Sequence, residues 1–214
     1  MGAIFRLLVS GILLSGISGL IFPSAVLAQQ KPAEKFIQDL GDHAVAVIAD
    51  KSLTEEQRSN QYHRILQDSF DMPAIGRFAL GRYWNTATPE QQQEYSKLFD
   101  DMTVKIYGDR LDFYKGERFR VKSMRQEGDN DYIVSSEVVH PAGSPPTAID
   151  WRVRNRNNKL LVIDVLIENV SQSLTQRQEY ASVIERHEGS IESLLDVMRQ
   201  RLQRTSTADA GRSN

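Results

Sequence analysis

Few residues in this chain have both the type and the spacing for chemistry. Asp39 and His43 share a helix face at i, i+4, a spacing that suits a pair of metal ligands, but such pairs are common on solvated faces. The four histidines, His43, His63, His140 and His187, are scattered one per element. Glu185, His187 and Glu188 cluster where a helix is predicted to end and fit an exposed helix terminus equally well. Asp150 and Asp164 stand on predicted strands, where a carboxylate can act as general acid or base. A solvated sheet face accounts for both without any chemistry. Asn169-Val170-Ser171 matches a glycosylation acceptor only formally. The chain has no cysteine, which excludes thiolate nucleophiles, thiolate metal sites and disulfides. It also has no G-x-S-x-G, P-loop, dinucleotide glycine fingerprint or H-E-x-x-H motif. The residues therefore point away from an enzyme, and no metal or cofactor is expected.

What remains is a greasy stretch, SFDMPAIGRFALGRYW, from Ser69 to Trp84. Arg77 and Arg82 interrupt it, and Tyr83 and Trp84 close it. Phe78, Leu80, Tyr83 and Trp84 suit plain core and suit the wall of an apolar ligand site. Tyr and Trp fit a pocket mouth because each joins an apolar body to a polar tip. Arg77 and Arg82 either meet a phosphate there or line a solvated helix face.

The ends of the chain narrow the setting. Arg6 precedes an apolar run from Leu7 to about Phe22, Pro23 breaks it, and Val26-Leu27-Ala28 offers small side chains to a signal peptidase. That layout predicts a cleaved signal peptide over residues 1–28 and an exported, periplasmic product. An uncleaved anchor is the alternative, although the run is short for a bilayer span and diluted by Gly and Ser. Cleavage leaves 186 of the 214 residues, enough for one domain with its own core, and removing Arg6 takes the formal charge from −2 to −3. That balance offers no footprint for nucleic acid or anionic headgroups. Residues 29–203 are read as the domain, and 204–214 (RTSTADAGRSN) as a disordered tail with little to bury.

Periodicity then divides the domain into three blocks. From Pro32 to about Tyr114 it is helical. Phe36, Leu40, Val47 and Ile48 suit one face, and Leu53, Ile65, Leu66 and Phe70 suit the next, with Ser52 and Glu55 spaced as a capping box. Thr88-Pro89-Glu90-Gln91 opens a helix whose stripe is Tyr95, Leu98, Phe99, Met102 and Ile106. From Glu117 to Ile167 the period is two. Phe119 and Val121 alternate with Arg118, Arg120 and Lys122; Ile149, Trp151 and Val153 alternate with Asp150, Arg152 and Arg154; Leu161, Ile163, Val165 and Ile167 follow the Asn157-Asn158 turn. From Leu174 the chain is helical again, with Gly189 and Ser190 separating the Tyr180, Val183, Ile184 face from the Ile191, Leu194, Leu195, Met198, Leu202 stripe. The expected fold is α+β: a curved antiparallel sheet of four to five strands with helices packed on its apolar face.

Two segments together carry a resemblance. The first has Phe70-Asp71, Ala79-Leu80-Gly81, Trp84, Thr88, Glu90-Gln91, Phe99 and Tyr107. The second has Asp164-Val165, Glu168, Val170-Ser171, Thr175, Arg177, Glu179-Tyr180, Gly189 and Leu194-Leu195. In this order they resemble the MlaC family, the toluene-tolerance auxiliary component of an ABC transport system, over nearly the whole mature chain. Asn169 stands where that family often has Gly, at a site that suggests positive φ, and Tyr180 stands where Phe is usual.

The resemblance implies a periplasmic lipid carrier without catalytic residues, its cargo a bound phospholipid. Its implied partners are an outer-membrane lipoprotein–porin complex and an inner-membrane ABC transporter bearing an MCE-domain ring, with outer-membrane lipid asymmetry as the outcome. A hopanoid cargo, as in a close relative of the family, fits the same sequence. Physics sets what a carrier needs. At about 0.8 kcal/mol per buried CH₂, a chain of ~16 carbons gains on the order of 13 kcal/mol on leaving water, so it must ride in a dry cleft.

The candidate wall residues are Phe78, Tyr83, Phe99, Met102, Ile106, Tyr107, Val121, Trp151, Val153 and Val165, of which Met102, Ile106, Val153 and Val165 lie mid-stripe or mid-strand. The basic face of Arg118, Arg120, Lys122, Arg152 and Arg154 either docks an acidic partner or merely keeps the sheet soluble. A steroid-isomerase-like enzyme shares the plan of a curved sheet roofed by helices, and would need a carboxylate at an inward strand position. A ligand-free structural adaptor would have a filled core.

Overall fold

The computed structural model describes residues 31–108 and 116–210, with the side chains of 106–108, 142 and 205–210 outside the description. The expected signal peptide and its cleavage site lie outside the described residues.

Helices come first, as the periodicity predicts. α1 (Pro32–Ala49) buries Ile37, Leu40 and Val47. α2 (Glu55–Ser69) begins at a capping box formed by Thr54 and Gln57, two residues later than the predicted Ser52–Glu55 pair. Ser52 instead donates to the Asp50 carboxylate at 2.6 Å and closes the turn ahead of the helix. α3 (Met72–Leu80) runs into a 3-10 turn at Gly81–Asn85, and α4 (Pro89–Gly108) follows. The α4 start is as predicted: the Gln91 side chain accepts from the Thr88 N–H at 3.1 Å, and the Thr88 hydroxyl from the Gln91 N–H at 3.3 Å.

Five antiparallel strands form one open, curved sheet in chain order. They are β1 (Arg118–Glu127), β2 (Asp131–Val139), β3 (Thr147–Arg156), β4 (Lys159–Ile167) and β5 (Val170–Ser171). Asn157 and Asn158 take φ of 52° and 62° in the β3–β4 turn, and Glu168 and Asn169 take 49° and 64° in the next, the left-handed pair that tight hairpins require. α5 (Gln172–Arg186) and α6 (Ile191–Ala210) close the chain. α6 continues beyond Arg204 into the stretch read as a tail; no Pro or Gly interrupts it before Gly211.

The inward face of β4 differs from simple alternation. Arg152 pairs with Asp164 but Val153 pairs with Val162, so Ile163 is an extra residue in a bulge. A bulge reverses the side-chain parity and bends the strand. The apolar set on β4 is therefore Leu160, Val162 and Val165. A second irregularity at Lys122 in β1 likewise carries the inward set from Phe119 and Val121 to Met124.

Two cores result. Ile37, Leu40, Val47, Tyr62 and Ile65 of α1 and α2 cover Val134, Val153 and Val162 on the sheet. Leu80, Tyr95, Phe99, Met102, Tyr180, Ile184, Leu194, Leu195 and Met198 form a second core among α3 to α6. Close approach of α1 to β1 depends on Gly41, because a side chain there would begin 2.1 Å from the Phe119 ring.

On the outer face the predicted basic surface is largely neutralised. Arg120 and Lys122 both bind the Glu137 carboxylate, Arg154 makes a two-pronged pair with Asp131 at 2.8 and 2.7 Å, and Arg152 lies 3.4 Å from Glu127. Register explains this, since Arg120 stands directly opposite Glu137 and Arg154 opposite Asp131.

Candidate functional site

The two cores meet along a seam, and two buried aspartates pin its sides. Phe70 forms a bridge with Val162, and the Asp71 N–H donates to the Val162 carbonyl at 2.9 Å. The Asp71 carboxylate caps α3 through the Ala74 N–H at 3.2 Å and lies 3.1 Å from Arg156 Nη1. On the other side, Asp164 accepts from the Val165 and Ser173 N–H groups at 2.9 and 3.1 Å and from the Ser171 hydroxyl at 2.6 Å. Ser171 Oγ in turn accepts from the Leu174 N–H at 3.1 Å, which caps α5. Asp164 is thus 7% exposed rather than on a solvated sheet face, because α5 folds back over it.

Between these pins lies a cavity of about 360 Å³. Leu66, Phe70, Met72, Ile75, Ala79, Phe99 and Val165 supply its apolar wall. Gln172, Thr175, Gln176 and Glu179 of α5 and Arg201 of α6 supply its polar side, of which Glu179 and Arg201 are exposed. Asp164, Ser173 and Thr103 complete the lining. A methylene group is about the size of a water, whose share of liquid volume is ~30 Å³, so the space holds roughly a dozen such groups. That matches the better part of one acyl chain and sits at the low end of ligand pockets. A broader depression of about 670 Å³ at the strand tips is lined by Glu127, Asp129, Asp131, Arg154 and other polar residues, which give an acyl chain nothing to bury against.

Stacked aromatics back the apolar wall. Phe99 stacks on Tyr95 with centroids 5.8 Å apart, and Tyr95 meets Trp84 and Tyr180 edge-on. The Tyr95 hydroxyl donates to the Gly76 carbonyl at 2.8 Å, tying α4 to α3. Burial pushes the Tyr95 and Tyr180 phenols far above their ordinary range, so both remain neutral.

Of the ten wall candidates, Phe99 and Val165 line this cavity. Met102 and Val153 are buried inside the two cores, and Trp151 and Val121 pack half-buried on the sheet core. Trp151 Nε1 donates to Ser136 Oγ at 2.9 Å. Tyr83 is half-buried with its hydroxyl beside Arg82, and Phe78 is 44% exposed beneath the Arg177 guanidinium, 5.0 Å from the ring centre. The side chains of Ile106 and Tyr107 lie outside the described residues. Arg77 packs over Trp84 and Arg82 over Tyr83, and Arg82 also bonds Glu185 at 2.7 Å.

The opening stretch therefore divides by helical face: Met72, Ile75 and Ala79 face the cavity, while Leu80, Tyr83 and Trp84 belong to the core of α3 to α6. Leu66, Phe70, Ile75, Ala79 and the α5 residues were not among the candidates. Their signal was the spacing of Phe70-Asp71 and of Thr175 and Glu179 within the two resembling segments.

Among the described residues no group of three or more His, Cys, Asp or Glu side chains is placed to hold a metal, and no helix is long and apolar enough to cross a membrane. The family model described as MlaC protein matches residues 38–200. The chain belongs to the MlaC family. It is 21% identical over 180 residues to the intermembrane phospholipid transport system binding protein MlaC of Haemophilus influenzae, covering 83% of this chain and 81% of that protein. A phospholipid-binding protein from Ralstonia solanacearum, solved in complex with a phospholipid at 1.53 Å resolution, superposes with a TM-score of 0.70 at 25% identity, covering 81% of this chain and 98% of that one. The MlaC-family match encloses both aspartate pins and the full apolar wall between Leu66 and Val165.

Proposed function

We propose that this MlaC-family protein is a phospholipid carrier that holds an acyl chain in the seam cavity and ferries lipid between membranes. The observation that carries the reading is the cavity itself: an apolar wall with a polar side, in a chain whose solved structural neighbour is a phospholipid-binding protein bound to its ligand. Burying the acyl chain supplies affinity, while the polar side lets the headgroup stay hydrated. A periplasmic location, with loading and unloading at an inner-membrane MCE-domain transporter and an outer-membrane lipoprotein–porin complex, completes the proposal and accords with maintenance of lipid asymmetry.

The reading is non-enzymatic. Asp164 is a carboxylate facing the cavity, but three donors and the start of α5 occupy it, which fits a structural pin better than a proton-transfer base.

Transfer of a fluorescent phospholipid from donor to acceptor vesicles, with protein as the only soluble component, tests the proposal. Transfer should rise in proportion to protein concentration. No transfer above the protein-free rate would contradict it, as would turnover of the lipid into another species.

A further inference from the structure

We infer that the seam cavity measures its cargo, admitting a single acyl chain and burying about the last twelve of its carbons, an inference that rests on the phospholipid reading above. Volume sets the length. At ~30 Å³ for a methylene-sized group, about 360 Å³ seats roughly twelve carbons of one chain. Two chains side by side would have room for only about six carbons each.

The walls resist widening. The Asp71 N–H ties the start of α3 to β4 through the Val162 carbonyl at 2.9 Å. Asp164 ties β4 to the start of α5 through the Ser171 hydroxyl and the Ser173 N–H. The Tyr95 hydroxyl ties α4 to α3 through the Gly76 carbonyl. Four of the elements that line the space are thus bonded to one another, and packed interiors of this kind are stiff. Leu66, Met72, Ala79 and Phe99 are buried, whereas the lining reaches solvent at Glu179 and Arg201. The terminal methyl therefore goes to the buried end and the head stays outside. Carbons beyond about the twelfth lie among polar, hydrated side chains and gain little by leaving water. Affinity then rises about fourfold per methylene while the chain fills the space, and levels off once it is full.

Saturated lysophosphatidylcholines, which carry one chain on a constant head, test this with chains of about 8 to about 16 carbons. Delipidated protein would be dialysed to equilibrium with each lipid below its critical micelle concentration, and bound lipid quantified by mass spectrometry. The dissociation constant should fall about fourfold per methylene up to about twelve carbons and change less than about twofold in total beyond it. Ile75→Ala removes three carbons from the wall and should move that break about three carbons up; Val165→Phe adds four and should move it about four carbons down. Melting curves of the delipidated variants show that each is folded. A fourfold gain per methylene continuing unbroken to about 16 carbons would overturn the length limit while leaving the carrier reading standing. So would a break that neither folded variant moves. A folded parent that binds no chain of any length would overturn both.

Discussion

A side chain on Gly76 would begin 3.1 Å from Cδ1 of Phe99, so the cavity wall keeps its shape because residue 76 has none. Gly76 sits inside α3 with negative φ, where Ala is intrinsically favoured by about 1 kcal/mol. Here that gain is set against a crowded ring. Phe99 is backed by Tyr95, whose hydroxyl holds the Gly76 carbonyl, so the ring yields toward the open side, into the cavity. Gly76→Ala should leave the melting temperature within a few degrees of the parent and reduce the lipid bound per chain. Unchanged lipid content would show that Phe99 does not gate the space.

Replacement by Trp separates wall from core. Val165 is half-buried and borders the cavity, so Val165→Trp should fill it, lowering lipid occupancy with little change in the stability of delipidated protein. Val153 is 0% exposed and Met102 4% exposed, each inside a packed core. Val153→Trp and Met102→Trp should each cost about 1–3 kcal/mol or more, a fall of several degrees in melting temperature. Comparison of delipidated samples is essential, since bound ligand itself stabilises. Equal losses of stability at Val165 and Val153 would contradict the placement of the wall.

Gly81 explains the glycine of the Ala79-Leu80-Gly81 segment. Its φ of 61° and ψ of −130° lie where side chains are strained, and a Cβ there would stand 3.0 Å from Arg177 Nε. Gly81→Ala should cost about 1–3 kcal/mol. Adding Arg177→Ala removes the contact but not the backbone strain, so the double variant should recover little of the loss. A fully restored melting temperature in the double variant would assign the cost to Arg177 instead.

The block order was legible because the hydrophobic period changes from helical to two and back, and the Asn157-Asn158 turn was legible from its residue types. The inward face of β4 was not. A single bulge at Ile163 shifts the parity, and nothing in LLVIDVLI marks which residue is extra. The charge balance of the outer face was equally hidden, because Arg120 and Glu137 are 17 residues apart and meet only once the register is known. The cavity lay deeper still. Its wall joins α2, α3, α4 and β4 to an α5 whose position depends on the Asp164 pin, so Phe99 and Val165 could be named from stripe and strand while Phe70, Ile75 and Ala79 could not.

The same ion pairs make a prediction for acid. Hydrogen bonding from Arg154 holds Asp131 below its ordinary 3.8, and Arg120 together with Lys122 holds Glu137 below its ordinary 4.5. Carboxylates depressed in the folded state stabilise it above their unfolded values, and that stability is lost as the pH falls through the lower folded values. Asp100 acts oppositely: burial, then Asp101, raises its value, so the folded state binds that proton more tightly and gains as it is taken up. Asp50 and Glu90 are lowered as well, by hydrogen bonds at Ser52 and at the start of α4. Depressed carboxylates therefore outnumber the raised Asp100, and the melting temperature should be flat from about pH 8 to 5 and decline below about pH 4. Asp131→Asn with Glu137→Gln should flatten the decline, and an unchanged acid limb would show that these pairs do not set it.

The central claim is that the seam cavity holds a phospholipid acyl chain, and the lipid content of protein purified from its native envelope without detergent tests it most directly. Native mass spectrometry should find about one phospholipid on each folded chain, and solvent extraction should identify it. The Val165→Trp variant, prepared in parallel, should carry much less. Folded parent protein with a clean extract would contradict the claim, and so would cargo without acyl chains.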